Sequence, residues 1–283
     1  MREDFCVFIL THGRADNVIT AKTLKELGYT GKTYIVIDNE DDQEDAYRRN
    51  FPWAVLQFDK AETAKTFDTM DTSEDRRTIV YARNVCFRLA REVGVRYFLE
   101  LDDDYTDFQN RWAQDGKLKI KSMRGLDRYF EAMIDFLNDS GAASVAFAQG
   151  GDWLGGAKSP YMGKGLLRKA MNTFFCDVEK PFSFVGRINE DVNTYTVLGS
   201  RGVLFFTYMD SMITQKQTQK QKSGMSDVYL DGGTYTKSFY SVVGMPSCVK
   251  ISEMGETHRR IHHHVEWGNC VPMILNEKHR KPR

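Results

Sequence analysis

The sequence predicts an α/β fold, with a mostly parallel central sheet, flanking helices and an irregular second half. Three observations predict it. Short apolar runs alternate with helical repeats through the first hundred residues. The first, Phe5–Leu10, is apolar at every position rather than at alternate ones, as in a strand buried on both faces. The fourth of them ends in three adjacent aspartates, Asp102-Asp103-Asp104, where a buried strand has no use for charge.

The elements follow in order. Phe5-Cys6-Val7-Phe8-Ile9-Leu10 is a strand, and Thr11-His12-Gly13-Arg14 is the turn after it. Val18, Ala21, Leu24 and Leu27 recur at helical spacing, and Gly28 stops the helix. Thr33 to Asp38 is a second strand and Ala54 to Phe58 a short third. Residues 59–75 are polar and read as a flexible loop. A helix is predicted over 77–93, capped by Gly94, and then the strand from Val95 leads to the aspartates. This is a βαβαβ pattern with right-handed crossovers.

Beyond residue 104 the rhythm changes. Asp115-Gly116 between two alternating segments predicts a hairpin. Residues 125–139 read as an amphipathic helix and 142–148 as a small-residue strand. Residues 149–165 hold six glycines around Trp153 and Tyr161 and read as a mobile loop. Residues 214–224 are low-complexity, polar and basic. We expect one domain over 1–283, in which 1–110 bind a nucleotide and 111–283 bind an acceptor and close over the site.

Composition narrows the class. The formal net charge is zero, yet residues 1–110 hold 22 acidic and 15 basic side chains while 111–283 hold 17 and 24. An acidic, metal-binding half followed by a basic half suits an enzyme acting on polyanions. The five cysteines are scattered and form no CxxC pair, which predicts a reduced protein of the cytoplasm. Nothing reads as a signal peptide or a bilayer span, so no membrane association is expected, and no protein partner is implied. GxGxxG and GxxxxGK[ST] are both missing, which argues against a dinucleotide fold and a P-loop kinase.

The chemistry rests on five constellations. Asp102 and Asp104 lie at the spacing that lets alternate residues of an extended segment face one side. Adjacent carboxylates need a counter-charge, and Mg²⁺ or Mn²⁺ prefers oxygen ligands. Thr11, Arg14 and Asp38 follow strand ends, where open parallel sheets bind ligands, so a phosphate and a base or ribose are the expected contacts. Arg83 and Asn84 are polar on an apolar helix and face either the crevice or solvent. Glu190-Asp191 opens a further helix; the pair is either a cap or, with Asp191 as general base, the group that deprotonates an acceptor hydroxyl. Five of six histidines lie in the last 26 residues, among them His262, His263 and His264. His262 or His264 is a candidate to complete a metal shell, and Lys278 and Arg280 to bind diphosphate.

These pieces, in this order, resemble a GT-A glycosyltransferase. More narrowly, Leu-Glu-Leu-Asp-Asp-Asp-Tyr (99–105), Asn-Glu-Asp-Val-Asn-Thr-Tyr (189–195) and the closing His/Lys/Arg segment look like the TET-associated glycosyltransferases of bacteriophages. The resemblance implies a GT-A-like fold and a nucleotide sugar, of the UDP type, as donor. It implies Mn²⁺ or Mg²⁺ chelated by Asp102 and Asp104 against the diphosphate, and a base in the Glu190-Asp191 pair. Arg14, Asp38 and Arg83-Asn84 look like nucleotide-contacting positions of such enzymes. The implied acceptor is a hydroxymethylated pyrimidine, such as hydroxymethylcytosine, in phage DNA. A base flipped from the duplex would enter beside Trp153 and Tyr161. Two other classes use similar features. A nucleotidyltransferase or metal-dependent phosphotransferase would release pyrophosphate or phosphate, and a non-catalytic DNA-binding protein would show no metal-dependent turnover.

Overall fold

The computed structural model describes residues 1–149, 172–215, 225–254 and 260–270. The chain begins with β1 (Phe5–Leu10), α1 (Ile19–Glu26), β2 (Lys32–Asp38), α2 (Glu44–Asn50), β3 (Val55–Phe58), α3 (Lys60–Ala64), α4 (Val80–Glu92) and β4 (Tyr97–Asp102). It continues with β5 (Tyr105–Gln114), β6 (Lys117–Ser122), α5 (Leu126–Ser140), β7 (Ser144–Ala148), β8 (Thr173–Asp177), α6 (Glu190–Ser200) and β9 (Phe205–Gln215). Last come α7 (Met225–Gly244), β10 (Val249–Met254), β11 (Arg260–Val265) and α8 (Trp267–Cys270).

Nine strands form one sheet in the order β3-β2-β1-β4-β8-β7-β9-β5-β6. The first four are parallel, as the βαβαβ pattern requires. From β8 onward the sheet is mixed: β8 runs antiparallel to β4 and β7, β9 is parallel to β7, and β5 and β6 add an antiparallel hairpin. The central sheet with helices on its faces is the α/β architecture that the sequence predicts.

Strand alternation separates two cores. Odd residues of β1 and β4 (Phe5, Val7, Ile9, Leu99, Leu101) pack with Leu24 of α1 and Phe130 of α5. Even residues (Cys6, Phe8, Leu10, Phe98) pack under Val85, Cys86 and Leu89 of α4. Glycine stops α1 and α4 as expected. Gly28 and Gly94 sit at φ 82° and 72°, and the next amides, Tyr29 and Val95, bond back to Leu24 and Ala90. Asp115 and Gly116 both have positive φ, the backbone of a two-residue hairpin turn whose twist matches its strands.

Where the polar stretch 59–75 reads as a loop, the structure opens it with α3, because the Asp59 side chain caps the Glu62 amide. Residues 68–71 are also fixed rather than free. Gly186 N and Arg187 N donate to the carbonyls of Asp68 and Thr69, and the Arg187 guanidinium reaches Asp71 at 2.9 Å. All five cysteines are buried and unpaired. Among the described residues, no helix is long and apolar enough to cross a membrane.

Candidate active site

The site forms where β1, β2 and β4 end. Glu100 and Asp102 are even residues of β4, so alternation turns both toward α4. Arg83 descends from α4 between them, only 2% exposed. Its Nη2 lies 3.2 Å from Asp102, its Nη1 3.6 Å from Glu100 and its Nε 3.0 Å from Glu190, the first residue of α6. The guanidinium also packs 4.9 Å from the Phe174 ring. One buried cation therefore joins three carboxylates from two elements.

Three acids around one guanidinium leave excess negative charge. Burial pushes the Glu100 carboxyl up to about 8, although Arg83 pulls the other way. Burial also raises Glu190 and Asp102, and the charges of Asp104 and Asp103 add to the rise at Asp102. Arg83 is held firmly charged: burial opposes its charge, but Asp102, Glu190 and Glu100 outweigh it. Asp102 alone of the three acids keeps appreciable exposure, 23% of its side chain. Added positive charge at that outer edge would relieve the crowding. A carboxylate or two at a strand end is the donor set on which Mg²⁺ usually sits, with phosphate oxygens supplying the remainder. Asp102 could supply one carboxylate of such a set.

Asp103 turns the other way. It accepts from Thr11 Oγ1 (2.7 Å) and from Arg14 Nη1 (2.8 Å). The Thr11 hydroxyl also meets Tyr47 OH at 3.0 Å. Thr20 Oγ1 donates to the Asp102 carbonyl and accepts from the Tyr105 amide, which sets the turn after β4. Thr11, predicted to touch the nucleotide, is thus consumed by scaffolding. Arg14, predicted to meet phosphate, has one arm committed to Asp103. Arg83, predicted to touch the donor, is enclosed by carboxylates instead. Asn84 is likewise structural: its amide bonds both N–H and C=O of Phe184. The sequence could not separate these roles, because a buried and an exposed arginine look alike in it.

Asp38 closes β2 as expected, but it is 4% exposed and its oxygens are occupied. Oδ2 meets His12 Nδ1 at 2.9 Å and Lys60 Nζ at 3.0 Å, and Oδ1 accepts from Glu40 N. Asp41 braces the same turn, accepting from Gly13 N at 2.8 Å with His12 Nδ1 3.7 Å away. Burial works to raise Asp38, but the His12 hydrogen bond and the Lys60 charge outweigh it and hold its carboxyl below the usual range. The Asp38 hydrogen bond raises His12 against the cost of burial.

The signs give a pH window. The stabilisation at His12 is present below the ordinary imidazole value of 6.5 and fades as pH rises through its raised value. That at Asp38 is present above the ordinary 3.8 and fades as pH falls through its lowered value. The pair therefore stabilises most between these two values. For His12→Gln, the loss in melting temperature relative to the parent should be largest below the ordinary imidazole value and shrink as pH rises through the raised value of His12. A loss independent of pH would contradict the ion pair.

Glu190 and Asp191 open α6, and the segment before them is fixed at almost every residue. Thr194 Oγ1 accepts from Val185 N, and Asn193 Nδ2 donates to Val185 O and Ile188 O. Asn189 sits in the left-handed region (φ 55°) and donates from Nδ2 to Lys237 O of α7 at 2.7 Å. Glu190 is 7% exposed and bound to Arg83. Asp191 is only half-buried; its Oδ1 accepts from Val192 N at 2.8 Å.

The remaining expectations divide. Asp104 is buried beside Asp102 at 8% exposure. His262 and His264 lie on β11, in a separate two-stranded sheet with β10. Among the described residues no three His, Cys, Asp or Glu side chains gather to hold a metal, so neither histidine joins Asp102 and Asp104 in such a group. β11 packs on α7, where Ile261 O accepts from Ser238 Oγ. Trp153, Tyr161, His258, His279, Lys278 and Arg280 lie outside the described residues. Sequence reading missed His12, Lys60, Glu100, Asp103 and Asn189. A glutamate inside an otherwise apolar strand was the one signal available for Glu100.

The family model described as TET-associated glycosyltransferase matches residues 5–224. No curated protein matches the sequence. Among solved structures, a mycobacterial protein shares 10% identity at a TM-score of 0.46, over 93% of this chain and 84% of its own. Residues 1–349 of TarS from S. aureus share 14% identity at a TM-score of 0.30, over 52% of this chain and 35% of that one.

Proposed function

The chain belongs to the TET-associated glycosyltransferase family, and we propose that this glycosyltransferase moves a sugar from a nucleotide-sugar donor, with a divalent cation on its diphosphate, to a hydroxymethylated pyrimidine in DNA. The observation that carries the reading is the pairing of two acids from different elements: Asp102 at the end of β4 and Glu190 at the start of α6, joined through Arg83.

The residues divide the work. The free edge of His12, oriented by Asp38, is the group offered to the nucleoside, since Asp38 has no idle oxygen. Asp102, with Asp104, would hold a divalent cation, which when bound neutralises the departing diphosphate. Asp103 keeps the Arg14 guanidinium beside that position. Asp191 has Oδ2 left to take the acceptor hydroxyl's proton, while Glu190 is tied to Arg83. The left-handed turn at Asn189 and its bond to α7 fix Asp191 before substrate arrives.

A thermal-shift screen of nucleotide sugars with and without Mn²⁺ tests the reading. One nucleotide sugar should stabilise the protein only with the cation; at a hundredfold excess over Kd that amounts to about 2.7 kcal/mol. Asp102→Asn should abolish the shift without unfolding the chain, because Arg83 keeps Glu100 and Glu190. Turnover on hydroxymethylated DNA should release a nucleoside diphosphate. Release of pyrophosphate would make the protein a nucleotidyltransferase instead.

A further inference from the structure

Resting on the reading of DNA as the acceptor, we propose that the β5–β6 hairpin is a contact for the backbone of duplex DNA flanking the modified base. Lys117, Lys119 and Lys121 alternate along β6, so all three project from one face, and all are exposed. The register sets them opposite Gln114, Trp112 and Asn110, which share that face. Trp112 remains 40% exposed at its centre, opposite Lys119. Residues 111–124 hold five basic side chains and one acid, Asp115 at the turn. A lysine-striped ribbon with an open aromatic complements a polyanion, and two-stranded ribbons of this kind fit nucleic-acid grooves.

Its placement suits the task. β5 starts at Tyr105, immediately after the aspartates, and β6 is the last strand of the sheet, with no strand of the described residues paired on its outer side. At about 3.4 Å per residue, the stripe lies about 17 Å (Asn110, opposite Lys121) to about 31 Å (Gln114, opposite Lys117) along β5 from that start. Those lengths equal about five to nine base steps of a duplex. Lysines on an edge strand also serve to block edge-to-edge pairing, and the experiment separates the two roles.

The test combines Lys117→Gln, Lys119→Gln and Lys121→Gln in the full chain. Affinity for a hydroxymethylated duplex is measured across a salt series, with sedimentation as a control. The slope of log K against log salt should become shallower by about 2.7, from three lost phosphate contacts. KM for a long duplex should rise on the order of tenfold or more, with kcat unchanged. The shift with nucleotide sugar and Mn²⁺ should stay at the parent value, as should KM on duplexes with fewer than about five base pairs beside the target. A parental slope, with the variant now self-associating, would overturn the proposal and leave the lysines as edge guards. Tighter, lysine-dependent binding of single-stranded RNA would overturn the duplex assignment. A parent protein that binds no DNA yet transfers sugar elsewhere would sink the acceptor reading itself, a result distinct from a hairpin that merely plays no part.

Discussion

Arg83→Met is expected to destabilise the protein by about 3–5 kcal/mol, the usual result of removing one partner from a buried ion pair. Arg83 is the shared counter-charge of Glu100, Asp102 and Glu190 and is 2% exposed. Without it the acids must take up protons or water must enter. Denaturant unfolding monitored by tryptophan fluorescence would read the loss. Adding Glu100→Leu should recover part of it, since Glu100 is fully buried and, among the described residues, neither of its oxygens has a hydrogen-bond partner. Arg83→Lys keeps the charge but cannot span three carboxylates, so it should fold and still lower turnover. If Arg83→Met were as stable as the parent, the cluster would contribute nothing to the fold and the account of Glu100 would fail.

Asp191→Asn should lower kcat by about 10²- to 10⁴-fold, the range for a general base, while nucleotide-sugar binding is unchanged. Its carboxylate is half-buried at the start of α6, one residue past the acid that Arg83 holds. Glu190→Gln should behave differently. It removes a charge from the Arg83 cluster, so its effect should appear in stability and in metal-dependent binding as well as in kcat. Calorimetry with the nucleotide sugar, beside steady-state rates, separates the two variants. Equal losses of donor affinity in both would make Asp191 a helix cap and place the base elsewhere.

The sequence alone determined the first half of the fold. The continuous apolar run at 5–10 and the mostly apolar run at 95–101 read as doubly covered strands, and helical repeats closed by Gly28 and Gly94 left little choice of connection. Asp115-Gly116 carried its own hairpin, because positive φ at both positions is a local property of those residue types. The ends of β2 and β4, and so the position of the site, followed from the same local pattern. The second half was less legible. β8 is inserted between β4 and β7 by long-range pairing, and nothing within Thr173–Asp177 says which neighbour it will meet.

Only the tertiary structure decided which polar residues face the crevice. Arg83 and Asn84 are adjacent in sequence, yet Arg83 turns into a ring of acids while Asn84 ties down Phe184. His12 acquires its role from Asp38, 26 residues away, and Asp103 from Thr11 and Arg14 across the sheet. A side chain's helical or strand periodicity is written in its near neighbours. Its charge state and its partner are set by burial and by groups brought close only when the chain has folded.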